Sequence, residues 1–471
     1  MRLHTHDYQS PDTSGIVDGA VLMHREMSHL LARRGSVVLH DVTEGPGCVA
    51  GLGPDDVVYA GSGPYAFLYH HWRERTAGRF RIVREVHTAL WSGYWAQEEL
   101  CAPLVRPGDL ALFPTEYTRR LFQRNFASAA RSAVAYPMLD RLPRRAPRAL
   151  PPVGGPLRIG YLGALSLAKN FDQVLAVFAR CHQADDGVSL VCAGKPNDPR
   201  WEAARVHDAL RRAGVPPSAV RMAGVRPQEE LSAFFDAIDV LLFPSTASRE
   251  TLGRVVLEAL AHGVPVVAAD VGPAVELLPA RNLVPTVLDT RTSFDMGRVG
   301  PLGRVDEDVL TAKLLTRDFA PASLPATTAY TDDAFLDTLA GRPAPVPAGH
   351  DRVLPDAVRV QPRRGPAPDA AAAAALFRDF FGRRDGVLSD ALDARAARTG
   401  HDDAALRRIV AAPHRNLADY RAFPRLLDAL VLPPLAYALA PVGAEAAPAG
   451  RVSARGPHHV SPPVAGAVPG H

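Results

Sequence analysis

Short apolar runs alternate with helical patterns over the first 140 residues of the chain. A helix is predicted before Gly35, because apolar residues recur there every three or four positions and glycine commonly ends helices in a left-handed cap. Residues 1–140 are therefore predicted to form one sheet packed with helices. Four apolar runs predict its strands: Val37 to Leu39, Val57 to Ala60, Arg81 to Val86 and Leu110 to Phe113.

The alternation becomes cleaner after a segment, 141–156, that is rich in proline and arginine and lacks periodicity. Such a composition predicts a linker between domains. The later apolar runs are each followed by a turn signal and a helical pattern, which predicts a second domain over 157–320 with a parallel sheet covered on both faces. Its predicted strands are Arg158 to Leu162, Val188 to Ala193, Val220 to Ala223, Val240 to Phe243 and Val264 to Ala268.

The pattern weakens after residue 320. Residues 321–369 are predicted to be a proline-rich linker, extended from Gly341 to Pro368, because proline removes backbone donors and blocks helices. Apolar clusters predict a helical extension over 370–440. The last segment, 441–471, is predicted to be disordered.

Composition narrows the function classes. The 471 residues are 47% hydrophobic, enough for two or three domains. The net charge is only +3 and the basic residues form no stripe, which argues against nucleic acid as a partner. We expect a cytoplasmic protein, since the sequence has neither a signal peptide pattern nor a run of apolar residues long enough to span a membrane. The cysteines share no paired spacing and are expected to be buried thiols: Cys48, Cys101, Cys181 and Cys192.

The most informative segment begins at Ser248 and contains a helix predicted to start near Leu252 or Gly253 and to end at Gly263. Its only polar stripe consists of Arg254, Glu258 and His262, so the rest of the helix is expected to be buried.

Two arginines stand at the positive end of this helix, Arg249 just before it and Arg254 in its first turn. Each is unfavourable there by about 0.3 to 1 kcal/mol, so an anion is expected to compensate. A diphosphate would fit, bound by the backbone amides of Thr251, Leu252 and Gly253. Glu258 would then accept the hydroxyls of a ribose, and Glu250 would face the group on the other side of the diphosphate. Taken alone, the two glutamates are better explained by a solvated face or by an ion pair between Arg254 and Glu258. The buried apolar helix, the two arginines at its positive end and the lone Lys169 in a separate turn favour the donor site instead.

Two glutamates separated by seven residues, then ALAHGVPVV and GPAVE, resemble the donor-binding signature of the family 4 retaining glycosyltransferases. The similarity extends upstream through IGYLGALSLAKNF and MAGVRPQEELSAFFDAIDVLLFPS, and more weakly through REVHTAL and LALFPTEYTRR, covering about residues 1–320. The resemblance implies a GT-B architecture, in which two doubly wound Rossmann-like domains face a cleft. It also implies transfer of a sugar from a nucleotide-diphosphate donor to an acceptor hydroxyl, with retention of configuration and without a metal or other cofactor.

The same resemblance implies roles for individual residues. Lys169 would bind the diphosphate, Glu250 the donor sugar and Glu258 the ribose. Glu276 would support the site from behind, and His87 would line the sugar and acceptor side.

Two departures from the family stand out. The family carries an arginine five residues before the lysine, where this chain has Ala164, so half of the cationic clamp is missing. Arg254 or Arg249 could replace it. The glycine loop after the first strand of the first domain is reduced to Ser14 and Gly15, with Gly19 further on, and Gly15 is retained as a candidate donor contact.

Several other patterns have competing interpretations. His4, His6 and Asp7 could bind a metal, but a histidine pair at a chain terminus more often lies on the surface or supports a site from behind. Asp306 and Asp308 resemble the acidic pair of metal-dependent transferases, but helix capping explains them better. The cluster of Arg144, Arg145 and Arg148 could touch an acidic membrane, although a solvated linker is the simpler explanation.

Because Ala164 weakens the clamp, two other functions remain open. The chain could be a catalytically silent GT-B protein that binds a nucleotide or a partner, or a nucleotide-sugar epimerase of the same fold.

Overall fold

The computed structural model describes residues 2–6, 19–40, 42–61, 65–86, 104–125, 130–247, 250–288, 301–324, 329–342, 358–360 and 437–439. Within these ranges the chain forms two six-stranded parallel sheets and two short antiparallel pairs. The predicted α/β fold with two sheet domains is confirmed. Among the described helices, none has the length and apolar character needed to cross a membrane.

The first sheet has the strand order β2-β1-β3-β4-β5-β6, so the order reverses between β1 and β3. Its strands are β1 (Arg2–His6), β2 (Val37–His40), β3 (Asp56–Gly61), β4 (Arg81–Glu85), β5 (Leu110–Phe113) and β6 (Arg131–Val134). Its described helices are α1 (Gly19–Arg34), α2 (Tyr65–Arg75) and α3 (Glu116–Asn125). The predicted first helix ends before Gly35, but Gly35 is not among the glycines with positive φ, so the expected left-handed cap is wrong.

The second sheet has the order β12-β11-β10-β7-β8-β9, so the order reverses between β7 and β10. Its strands are β7 (Leu157–Leu162), β8 (Val188–Ala193), β9 (Val220–Met222), β10 (Val240–Phe243), β11 (Val266–Ala269) and β12 (Leu283–Val284). Beside it, β13 (Thr286–Leu288) and β14 (Gly303–Val305) pair antiparallel. The described helices are α4 (Phe171–Ala184), α5 (Ala203–Arg212), α6 (Leu231–Asp236), α7 (Arg254–Ala261), α8 (Ala274–Leu277) and α9 (Glu307–Thr316).

Burial explains why these segments fold as they do. All residues of β10 and β11 are buried, as expected for central strands of a parallel sheet that is covered on both faces. The stripe of Phe171, Val174 and Phe178 on α4 belongs to the same apolar cluster as the strand residues beneath it. At the start of α9, the Asp306 carboxylate accepts hydrogen bonds from the backbone N–H groups of Asp308 and Val309. This is the helix cap expected from the sequence.

The linker segment lies along the second domain. The backbone N–H groups of Arg145 and Arg148 donate to the carbonyls of Ala261 and Gly263, both at 3.0 Å. Both guanidinium groups pair with the Asp236 carboxylate, at 2.5 and 2.8 Å. These contacts fix two of the clustered arginines against the protein's own carboxylate.

The chain returns to the first domain after its second sheet. Helix α10 (Asp332–Leu339) follows Tyr330, whose carbonyl accepts hydrogen bonds from the N–H groups of Met138 and Leu139. The ring of Phe335 packs edge-on against Tyr59 of β3, with 6.0 Å between ring centroids. This helix lies within the 321–369 segment predicted from its prolines to be a linker. It forms because Thr331 caps it and Ala334, Phe335 and Leu339 bury one face.

The rest of the C-terminal prediction falls mostly outside the described residues. Strand β15 (Val358–Val360) pairs antiparallel with β16 (Tyr437–Leu439). The second of these strands occupies the end of the segment predicted as a helical extension, 370–440, and the tail 441–471 is not described.

Candidate active site

The two neighbouring strands at which the second sheet reverses its order bring Lys169 and Glu250 together. Lys169 ends a short 3₁₀ turn (Leu167–Lys169) after β7, and Glu250 lies in the loop between β10 and α7. The Lys169 ammonium forms an ion pair with Glu250 Oε2, and Ser245 Oγ donates to the same oxygen at 3.0 Å. In open α/β sheets, ligands bind at such a reversal point, outside the carboxyl ends of the strands.

Asn170 fixes the lysine turn in place. It adopts the left-handed conformation, with φ of 54°, that asparagine tolerates better than most residues. Its buried Nδ2 donates to the Pro244 carbonyl and to Thr246 Oγ1, both at 3.0 Å, and to the Gly303 carbonyl at 3.1 Å. The loop after β7 is thereby tied to the end of β10. Neither Asn170 nor Ser245 could be identified from the sequence, because only the fold brings them to their partners.

Helix α7 begins beside this pair. Gly253 precedes it with φ of 67°, and a Cβ added there would lie 3.4 Å from the ring of Phe243. Among the residues that the structure describes, none accepts a hydrogen bond from the backbone N–H groups of Thr251, Leu252, Gly253 or Arg254. The helix start therefore presents donors and a positive dipole end to an anion.

Glu258 lies one turn into α7 and is 5% exposed. Its Oε1 accepts hydrogen bonds from Arg254 Nε at 2.9 Å and from Gln228 Nε2 at 3.1 Å. No described residue donates to Oε2, which leaves this oxygen available to a ligand hydroxyl.

Arg254 already has anionic partners inside the protein. Its Nη1 and Nη2 lie 2.9 and 2.7 Å from the two carboxylate oxygens of Glu26 on α1, and Nη1 also donates to the Tyr136 hydroxyl at 3.3 Å. Burial lowers the pKa of Arg254, but the hydrogen bonds to Glu26 and the nearby negative charges raise it, and the net shift is upward. The charge expected to compensate Arg254 therefore comes from Glu258, the ion pair that the sequence left open, and from Glu26. The sequence could not show Glu26, because it lies 228 positions away.

Two further contacts join the first domain to this site. The carbonyl of Thr251 accepts hydrogen bonds from the hydroxyls of Thr115 at 2.7 Å and Thr118 at 3.1 Å. The Glu276 carboxylate accepts from the backbone N–H groups of Glu116, at 3.0 Å, and of Tyr117, at the start of α3. Burial raises the pKa of Glu276 to about 7, against these hydrogen bonds, which favour the charged form.

Four other residues belong to the site predicted from the sequence: Ala164, His87, Arg249 and Gly15. Ala164 lies in the turn after β7, where its carbonyl accepts from the Tyr161 hydroxyl at 2.8 Å. His87, Arg249 and Gly15 lie outside the described residues.

The N-terminal histidines do not lie on the surface. His4 and His6 are buried in β1, so the surface position, one of the two alternatives expected for them, is wrong. His4 Nδ1 lies 3.0 Å from His40 Nε2, and His4 Nε2 lies 3.4 Å from Asp56 Oδ1. Asp7 is outside the described residues. Within the part of the chain that the structure describes, no group of three or more histidine, cysteine or acidic side chains is arranged to hold a metal.

The second domain is similar to known proteins. Residues 156–287 match the family model described as Glycosyl transferases group 1. Glycogen synthase of Mycobacterium tuberculosis is 31% identical over 151 residues, which is 32% of this chain and 31% of that protein. D-inositol 3-phosphate glycosyltransferase of Corynebacterium aurimucosum is 33% identical over 141 residues, 29% of this chain and 32% of that protein. The chain thus matches about a third of the length of these relatives, and the match to the Glycosyl transferases group 1 model is confined to the second domain.

Solved structures resemble more of the chain at lower identity. Anabaena Alr3699/HepE in complex with UDP is 17% identical, covering 72% of this chain and 95% of that one, with a TM-score of 0.45. A GtfA/B complex is also 17% identical, covering 64% of this chain and 59% of that one, with a TM-score of 0.44.

Proposed function

We propose that this chain, whose residues 156–287 form a glycosyl transferases group 1 domain, transfers a sugar from a nucleotide-diphosphate donor to an acceptor hydroxyl. One observation carries the proposal most. Lys169 and Glu250 pair where the sheet order reverses, and α7 begins directly after the loop that carries Glu250. A cation and helix amides suit a diphosphate, and a carboxylate beside them suits sugar hydroxyls.

Donor binding would rearrange the ion pair at the centre of the site. Lys169 would exchange part of its contact with Glu250 for the diphosphate, and Glu250 would accept hydroxyls of the transferred sugar. Glu258 would bind the ribose through Oε2. As the donor bond breaks, negative charge grows on the diphosphate, and Lys169 with the amides of α7 would stabilise it in place.

The stereochemical outcome and the acceptor extend the proposal. By the family resemblance, the acceptor hydroxyl would attack on the face that the diphosphate leaves, assisted by the leaving phosphate, which retains configuration without a metal. The acceptor would be held by the first domain, with His87 lining that side. The relatives' names include an inositol phosphate and 2-deoxystreptamine, which supports a polyhydroxylated acceptor.

A binding screen followed by product analysis tests the function. Wild-type protein would be heated with a panel of UDP-, GDP-, ADP- and dTDP-sugars, since a ligand at a hundred times its Kd adds about 2.7 kcal/mol of stability. The stabilising donor would then be incubated with polyol acceptors, with and without a chelator, and the anomer of the product determined by NMR. We expect sugar transfer with retention of the anomeric configuration, and we expect the chelator to leave the rate of transfer unchanged. The absence of stabilisation by every donor would overturn the proposal.

Two lysine variants make the test site-specific. Lys169→Ala should reduce donor stabilisation strongly, because it removes the cation from the reversal point. Lys313→Ala is the matched control, since Lys313 Nζ contacts the Arg281 and Asp318 carbonyls at the far end of α9. Equal losses in both variants would remove Lys169 from the site.

Ala164 favours one alternative, a nucleotide-binding protein without catalytic activity. With alanine at that position, and with Arg254 engaged by two glutamates, Lys169 is the cation that the described residues place at Glu250. Stabilisation by nucleotides without turnover across the acceptor panel would support the silent protein. Release of free sugar or an isomerised donor in the absence of acceptor would instead indicate hydrolysis or epimerisation.

A further inference from the structure

Arg254 joins the two domains through Glu26 and also pairs with Glu258 on its own helix. Its Nη1 and Nη2 hold Glu26 on α1 of the first domain, while its Nε holds Glu258 on α7 of the second. The side chain is 18% exposed, and those of Glu26 and Glu258 are 20% and 6% exposed. All three groups are thus largely withdrawn from water. Leaving any one of these charges unpaired would be costly, because water could not replace the lost partner.

The arrangement determines what Arg254 can do. All three of its nitrogens have described partners, so it could bind a diphosphate only by releasing Glu26 or Glu258. A missing Arg254 would leave Glu258 without its cation and would break the link between α1 and α7. Arg254 is therefore poorly suited to replace the arginine absent at Ala164, and well suited to orient Glu258.

Neighbouring contacts lie in the same interface. Arg141 of the linker reaches Glu26, with Nη1 3.6 Å from Oε2 and Nη2 donating to the backbone carbonyl at 3.1 Å. Tyr136 contacts Arg254 from the first domain, and Thr115 holds the Thr251 carbonyl just before α7. The ion pair is thus part of a continuous polar contact between the domains around the start of α7.

From this geometry we infer that Arg254 is a positioning residue that couples closure of the two domains, through Glu26, to the orientation of Glu258. The part concerning Glu258 rests on the proposed function, because it assumes that Glu258 binds ribose. The interdomain part does not. The two glutamate contacts can be broken separately, which makes the coupling testable.

Small-angle X-ray scattering of the ligand-free full-length protein tests the interdomain half. Glu26→Gln keeps the side-chain shape and removes the charge, and Arg254→Gln removes the shared cation. Both should shift the radius of gyration upward relative to wild type. Arg226→Gln is the matched control, because Arg226 pairs with Glu230 at 3.0 Å on the surface of the second domain alone. If Glu26→Gln and Arg254→Gln both had the same radius of gyration as wild type, the interdomain role would be overturned. Arg254→Lys, which keeps a charge, serves if Arg254→Gln does not fold.

Calorimetry with UDP, GDP and ADP, followed by donor kinetics, tests whether Arg254 orients Glu258 for nucleotide binding. Arg254→Gln should lower the affinity for the nucleotide by about tenfold or more, the loss expected for one hydrogen bond to a charged group. Arg254→Lys should recover part of this affinity. Glu26→Gln should change nucleotide affinity far less and should lower kcat instead, since Glu258 keeps its cation while closure is impaired. Equal effects of Glu26→Gln and Arg254→Gln on affinity would refute the coupling. If wild type binds none of the nucleotides, the proposed function fails, and scattering alone then decides the interdomain role.

Discussion

Individual side chains at this site act through partners that are distant in sequence. Lys169 and Glu250 are 81 positions apart, and Arg254 and Glu26 are 228 apart. The residue types were predictable, because a rare lysine in a turn and two glutamates around a buried helix stand out in the sequence. The pairing was not predictable, because it depends on strand order and on the packing of one domain against the other.

Glu250 and Glu258 should be separable by the part of the ligand that each one binds. Glu258→Ala should weaken nucleoside diphosphate and complete donor alike, because both contain the ribose. Glu250→Ala should leave nucleoside diphosphate affinity nearly unchanged, while the donor loses a charged hydrogen bond of about 1.5 to 3 kcal/mol. Calorimetry of both variants with both ligands measures this difference. If Glu250→Ala weakened the nucleoside diphosphate as much as the donor, the proposed orientation of the sugar would be wrong.

Glu276 should make stability depend on pH. Its pKa is raised by burial from an ordinary value of 4.5 to about 7 in the folded protein, so folding takes up a proton between these values. Its stabilising contribution is therefore fully present below the lower pKa and is lost as pH rises through the upper one. Urea unfolding of wild type and Glu276→Gln across this pH range measures the effect. The free energy of unfolding of wild type should fall relative to that of Glu276→Gln as pH rises. Glu230→Gln, at an exposed site in the same domain, is the control, and a difference independent of pH would contradict the assignment.

At the scale of single elements, apolar runs predicted the central strands closely. Leu110–Phe113 and Val240–Phe243 are found at the predicted bounds, because strands buried on both faces leave an uninterrupted apolar run. β1 was missed because its buried face includes His4 and His6, whose polarity hides the strand in the sequence. α10 was missed because the prolines that follow it dominated the composition of the segment.

Gly253 determines how α7 begins, since its positive φ is one that residues with a Cβ adopt at a cost. Gly253→Ala should lower the free energy of unfolding by roughly 1 to 2 kcal/mol, the penalty for the left-handed conformation. It should also weaken nucleotide binding, because the N–H groups on either side of it would shift. Gly35→Ala is the matched control, with no positive φ and no atom within 4 Å of the added Cβ. Urea unfolding of the two variants compares them, and equal stabilities would show that the backbone at Gly253 is unstrained.

At the scale of the whole molecule, the domains share one apolar cluster. It includes Tyr59 of the first sheet, Leu257 of the second domain and Phe335 of α10, so the return of the chain to the first domain closes a common core. The two-domain plan could be predicted from the alternation of strands and helices. The return could not, because no local pattern records which domain an amphipathic helix packs against.

Phe335 tests whether this return is needed for the stability of the first domain. Its side chain is fully buried and packs against Tyr59, so Phe335→Ala should lower the free energy of unfolding by about 3 to 5 kcal/mol. The loss of stability should fall mainly on the first domain, because the cavity opens against β3. The thermal unfolding transition measured by calorimetry should therefore broaden or split into two. Val287→Ala is the control, since Val287 is 74% exposed and its truncation should stay within about 0.5 kcal/mol. A Phe335→Ala protein that unfolds like the Val287→Ala control would show that α10 contributes nothing to the first domain's stability.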